Sequence, residues 1–100
     1  MTLDYWPDPE FWGEPPDIAG YVHRLAVRRG HAGQGVGAAL LDHVEREVAA
    51  TGRPLLRLDC NKNSPRLHEF YKRLGFEHVG DVDLPHRQSG SLFERPARRA

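Results

Sequence analysis

Three glycines, Gly33, Gly35 and Gly37, alternate with Gln34 and Val36 inside the stretch AVRRGHAGQGVGAALLDHV, residues 26–44. Chemistry at such a place belongs to the backbone. The first turn of a helix leaves amide N–H groups without partners and carries the positive end of the helix dipole. Glycines let those amides approach an anion without a Cβ in the way, so a strand, a glycine turn and a helix in succession form a phosphate cradle. Arg28 and Arg29, just ahead of the turn, add positive charge. A tight turn with no ligand needs fewer glycines than this.

Which phosphate ligand is a separate question. GQGVGA, residues 33–38, matches the dinucleotide fingerprint G-x-G-x-x-G/A, and Asp59 stands about where its ribose-binding acid is expected. That fingerprint begins directly after a strand, whereas RRGHA separates Val27 from Gly33 here, and the rest of the chain has no second mononucleotide-binding half. The nucleoside-triphosphate loop ends in Gly-Lys-Ser/Thr, which this segment lacks.

The elements that must position this turn are legible in outline. IAGYVHRLAV, residues 18–27, reads as a strand through Tyr21, Val22, Leu25 and Val27, and a shorter one is expected around Leu3–Trp6. Val36, Leu40, Val44 and Val48 fall four apart with Leu41 and Ala39 beside them, one apolar face of a helix over 36–50 that Gly52 stops. PLLRLDC, residues 54–60, is a buried strand. Ser64 as N-cap and Pro65 at the first helical position open a second helix, with Leu67, Phe70, Tyr71 and Leu74 on one face and Gly75 closing it. FEHVGDVDL and GSLFER give two last strands, and RPARRA is too polar to pack. The order β-β-α-β-α-β-β implies an α/β domain, part parallel, with helices on the sheet and an antiparallel C-terminal edge.

Composition narrows the setting. A chain of 100 residues suits one domain with a modest core, and a formal net charge of +0 gives no reason to expect nucleic acid or an anionic membrane as partner. Residues 1–20 hold Asp4, Asp8, Glu10, Glu14 and Asp17 with no Lys or Arg, so the remainder is net basic. One cysteine, Cys60, permits no internal disulfide and fits a reducing, cytoplasmic setting; no apolar run approaches the roughly 20 residues of a membrane span.

Two motifs together resemble the GNAT superfamily of N-acetyltransferases. The family's glycine motif, Q/R-x-x-G-x-G/A after a strand, falls on residues 32–37, and its helix ending Y-x-x-x-G-F falls on Tyr71–Phe76, with a helix and a strand between them. The similarity spans roughly residues 19–95. It implies a GNAT-like mixed sheet with flanking helices in one acetyl-CoA-binding domain over 1–100, with 1–18 as an acidic aromatic strand and loop and 96–100 as a flexible tail. The activity implied is transfer of an acetyl group from acetyl-CoA to a primary amine, on a small molecule or a peptide, with no metal. A CoA-binding module that is non-catalytic, or completed by a partner, is the alternative.

The resemblance also implies roles. Leu25, Ala26 and Val27 pair through their backbone with the pantetheine arm. Gly33, Gln34, Gly35, Val36, Gly37 and Ala38 turn backbone N–H groups to the pyrophosphate, and Tyr71 protonates the departing thiolate, though from the residues alone Tyr71 is a core aromatic. His23 is the candidate base, since an imidazole exchanges protons near neutrality and strand alternation can aim it at the cleft; a structural or solvent-facing histidine fits the same position. Glu10 and Asp17 are weaker candidates, and Cys60 reads as a small buried residue. The sequence departs from the family pattern at three points. Ala32 occupies the leading Gln/Arg position. Ser64 stands where an Asn often contacts the cofactor, with Asn63 adjacent to take that role. The strand, helices and strand that open the family domain are not seen, which leaves the first strand as an edge to be covered by another chain, a second copy included. The acidic aromatic stretch, with Tyr5, Trp6, Phe11 and Trp12, is then a surface for a cationic amine or equally a solvated loop whose aromatics cover the edge of the core.

Overall fold

The computed structural model describes residues 2–13, 18–23 and 35–98. The elements are β1 (Thr2–Asp4), β2 (Ala19–His23), α1 (Val36–Ala50), β3 (Leu55–Asn61), α2 (Pro65–Arg73), β4 (Glu77–Asp81) and β5 (Ser89–Pro96). Their order is the expected one. They build one sheet in the order β1-β2-β3-β5-β4, in which β2 and β3 run parallel and the other neighbours antiparallel.

Strand alternation sorts the side chains onto two faces. Leu56, Leu58 and Cys60 of β3 join Val22 of β2 and Phe93 of β5 under the two helices, where Leu41, Val44 and Val48 of α1 and Tyr71 of α2 complete the core. Each such large side chain contributes about 1.5–3 kcal/mol when taken from water. The buried stripe of α1 is Gly37, Leu41, Val44 and Val48, whereas Val36 is exposed and Leu40 only half-buried. The expected face is therefore turned by one residue in its first half, because the helix meets the sheet through Leu41, Val44 and Val48. At Gly20 the two come close: a Cβ there would stand 2.3 Å from Val48 Cγ2.

α2 starts as the sequence predicts. Ser64 is extended and its Oγ accepts from Leu67 N–H at 3.4 Å, with Pro65 next. The end of the chain differs from expectation. Arg95 is buried, donating from Nε to Glu45 at 2.6 Å, from Nη2 to Asp42 at 3.0 Å and from Nη1 to the Leu74 carbonyl at 2.7 Å, so it ties β5 to both helices. Pro96 still lies in β5, and Ala97 N–H donates to Pro54 O at 2.8 Å. The supposed loose tail is packed at least to Ala97, because the polar head of Arg95 finds two carboxylates and a helix-end carbonyl.

The second face carries Tyr21, Arg57, Leu92 and Glu94, and the segment after β1 brings Trp12 back onto it. Trp12 lies under the Arg57 guanidinium at 4.4 Å and 6.0 Å from the Tyr21 ring. Arg57 Nε donates to Glu94 at 2.9 Å, and Nη1 to the Tyr21 hydroxyl at 3.4 Å.

Candidate active site

The described ladder between β2 and β3 runs to Val22↔Leu58, and among the described residues Asp59, Cys60 and Asn61 of β3 pair with β5. A notch-like cleft of about 670 Å³ lies there. Val22, Leu58, Cys60, Leu67 and Tyr71 line it from the helix side, and His23, Asp59 and Arg87 from the other. It is thus walled from both faces of the sheet.

Tyr71 stands on the helix-side wall, its ring wedged among Phe70, Phe76 and Phe93 at 5.2, 5.7 and 5.8 Å between centroids. Among the described residues no fully buried side-chain polar atom lacks a partner, and the Tyr71 hydroxyl, which bonds to none of them, opens on the cleft. Burial above all, then the neighbouring Cys60 and Asp59, pushes its pKa up to about 12. The phenol therefore keeps its proton throughout the neutral range. Cys60 is pushed up to about 11, by burial first and then by Asp59 and Asp81, so it is a thiol rather than a thiolate nucleophile.

The glycine turn is described from Gly35 onward. Gly35 caps α1 with φ 76° and ψ 9°, a left-handed conformation that favours glycine, and no side chain caps the helix. No acidic residue stands in the first turn either, so no described side chain caps the first-turn amides or opposes an anion there. Leu25, Ala26, Val27, Gly33 and Gln34 lie outside the described residues. Asn63 does not join the cleft: it lies with Lys62, His68 and Lys72 along a smaller hollow, its N–H turned to Asn61 Oδ1 at 2.8 Å. Tyr71 and His23 line the same cleft.

The sequence singled out Asp59 only as the ribose-binding acid of a dinucleotide fingerprint, and it missed Arg87. Asp59 accepts a hydrogen bond from Ser89 in the cleft wall; its alternation against Leu58 and Cys60 was the signal for it, whereas the strand was read only as buried. Nothing local marks Arg87. It sits in the turn from β4 to β5 and donates from Nη1 to Asp8 at 2.7 Å and to Glu10 at 3.3 Å, with its guanidinium 4.1 Å over Phe11. Burial opposes charge on Asp8, but the bond from Arg87, then the Glu10 N–H and the charge of Arg87, outweigh it and hold the carboxyl below its usual range.

These contacts overturn one expectation. Three of the four rings offered to a cationic amine are already covered by the chain's own cations, Tyr5 by Arg53 at 4.4 Å, Trp12 by Arg57 at 4.4 Å and Phe11 by Arg87 at 4.1 Å, while Trp6 stays exposed. Glu10 is held by Arg87 and by His86 at 2.9 Å. Of the two weaker base candidates, Glu10 is engaged and Asp17 lies outside the described residues.

Comparison with known proteins agrees with this geometry. The sequence model described as an acetyltransferase (GNAT) domain matches residues 5–78. The uncharacterized N-acetyltransferase YesJ of Bacillus subtilis (strain 168) is 42% identical over 74 residues, which is 73% of this chain and 41% of that protein. A solved acetyltransferase of the GNAT family from Listeria monocytogenes 4b F2365 superposes with a TM-score of 0.76 at 24% identity, covering 96% of this chain and 55% of that one. An aminoglycoside 6'-N-acetyltransferase complexed with coenzyme A does so at 0.71 and 16% identity, covering 85% and 62%. The likeness to these two structures is one of fold, and the chain spans about half the length of the relatives it matches.

Proposed function

This chain belongs to the GNAT acetyltransferase family, and from that premise we propose that it transfers an acetyl group from acetyl-CoA to a primary amine. The observation that carries the reading is the notch beyond Val22↔Leu58, with the Tyr71 hydroxyl on one wall and His23 and Asp59 on the other. The first turn of α1, which no described side chain caps, fits the pyrophosphate of the donor. The coenzyme A held by the structural relative supports the same donor.

Acetyl-CoA, when bound, supplies a thioester open to attack by a neutral amine. The chain's own groups manage the protons. Tyr71 holds one at its hydroxyl, where burial keeps it through the neutral range, and can release it to a thiolate formed beside it. His23 and Asp59, on the opposite wall, are placed to accept the proton that the amine gives up.

The test is thiol release from acetyl-CoA in the presence of an amine panel. Tyr71→Phe keeps the ring in the core and removes only the hydroxyl, so kcat should fall about 100-fold or more with little change in KM for acetyl-CoA. Saturable binding of acetyl-CoA with no thiol release for any amine would leave a CoA-binding module in place of a transferase.

A further inference from the structure

Asp59 and Arg87 face the same cleft without meeting. Asp59 comes from β3 and is engaged by Ser89; Arg87 comes from the turn between β4 and β5 and is engaged by Asp8 and Glu10. The two form no ion pair, yet the charge of Asp59 reaches Arg87 and is among the influences that favour its charged form, after the bond to Asp8. They are opposite charges that line one cleft.

Arg87 is held still for this. Its guanidinium is stacked on Phe11, and both carboxylate partners take the same nitrogen, Nη1. Nε and Nη2 make no hydrogen bond to any described residue. That pair of donors is the edge that receives a carboxylate through two parallel bonds. Asp8 and Glu10 balance the charge of Arg87, so the place suits one carboxylate accompanied by its own cation better than a polyanion.

We propose that the acceptor is a free α-amino acid, bound with its carboxylate on the Nε–Nη2 edge of Arg87 and its amino group on Asp59. The proposal rests on the acetyl-transfer reading and names its substrate class. A peptide N-terminus has no carboxylate beside its amine, and a polyamine leaves Arg87 facing positive charge. In the reaction the ammonium gives one proton to the Asp59 and His23 side, the freed amine forms the N–C bond, its nitrogen sheds a second proton to solvent as the C–S bond breaks, and the thiolate takes the phenol proton of Tyr71. The tyrosinate recovers a proton from solvent.

Thiol release is measured with full-length protein on matched acceptors that share a side chain: leucine, leucinamide and isoamylamine, with spermidine as the polyamine. Leucine should exceed leucinamide and isoamylamine by about 10–100-fold in kcat/KM, the range expected for a charge-assisted pair that the analogue cannot make. Arg87→Gln should abolish that preference by raising KM for leucine, and leave KM for acetyl-CoA unchanged. Asp8→Asn loosens the pin on Arg87 without removing the guanidinium and should retain the preference; a merely structural clasp would make the two variants behave alike. Should Arg87→Gln fail to fold, Arg87→Lys keeps the charge without the fork and should lose most of the preference. Leucinamide or spermidine working as well as leucine overturns the proposal while leaving acetyl transfer standing. A rise in KM for acetyl-CoA in Arg87→Gln overturns it too, by moving the guanidinium to the donor. No thiol release with any amine removes the transfer reading itself.

Discussion

Cys60 and Tyr71 share one environment, and it makes both poor at ionising. The thiol moves from 9.0 to about 11 and the phenol from 10.0 to about 12, in each case chiefly through burial. Folding therefore binds these protons more tightly than unfolding does, and the sign follows. Their contribution to stability is complete below the unfolded values and is lost as pH rises through the folded ones. Thermal melts should be level up to about pH 9 and fall above it, and Cys60→Ala should move the onset toward pH 10. Iodoacetamide should leave native Cys60 unmodified at pH 7 and label it once urea unfolds the chain. A flat response beyond pH 10, or rapid native labelling, would contradict this account. The sequence did identify Cys60 as small and buried, because it ends an apolar run, residues 54–60, with no activating neighbour in sequence. It also placed Tyr71 on an apolar helix face, where a core aromatic and a cleft hydroxyl look alike. Only the position of that hydroxyl at the notch separates them.

Among the elements, the pairing of α1 with β2 depends on the smallness of one residue. The Cβ of an alanine at position 20 would overlap Val48 Cγ2 and press on Leu3, with 2.3 and 3.3 Å of room. Gly20→Ala should cost about 2 kcal/mol by urea unfolding, and Val48→Ala in the same chain should recover part of that loss. Helix boundaries were readable, since Ser64, Pro65 and the apolar spacing act within a few residues of one another. The orientation of α1 was less so. The four-residue spacing of Val36, Leu40, Val44 and Val48 suggests one stripe, yet the helix settles on Leu41, Val44 and Val48, because contact with the sheet selects the face.

At the scale of the whole molecule, arginines fasten remote segments to one another. Arg57 joins β3 to Glu94, Tyr21 and Trp12, and Arg95 joins β5 to both helices. Arg57 is 7% exposed, and without it Glu94 would face Glu77, its antiparallel partner, uncompensated. Arg57→Ala should therefore cost about 3 kcal/mol in urea unfolding, more than a surface arginine would. None of this was legible beforehand. The acidic aromatic stretch suggested a docking surface because its cationic partners, Arg57 and Arg87, lie far along the chain, and nothing in local spacing brings them back to Trp12 and Phe11. The notch beside β3 has a consequence of its own. Side chains of both sheet faces line the one cleft, so under the proposed transfer the group that gives a proton and the groups that take one stand on separate walls and do not neutralise each other. With Cys60 held as a thiol, no half of the reaction is stored on the protein between visits, and the two substrates must be present together.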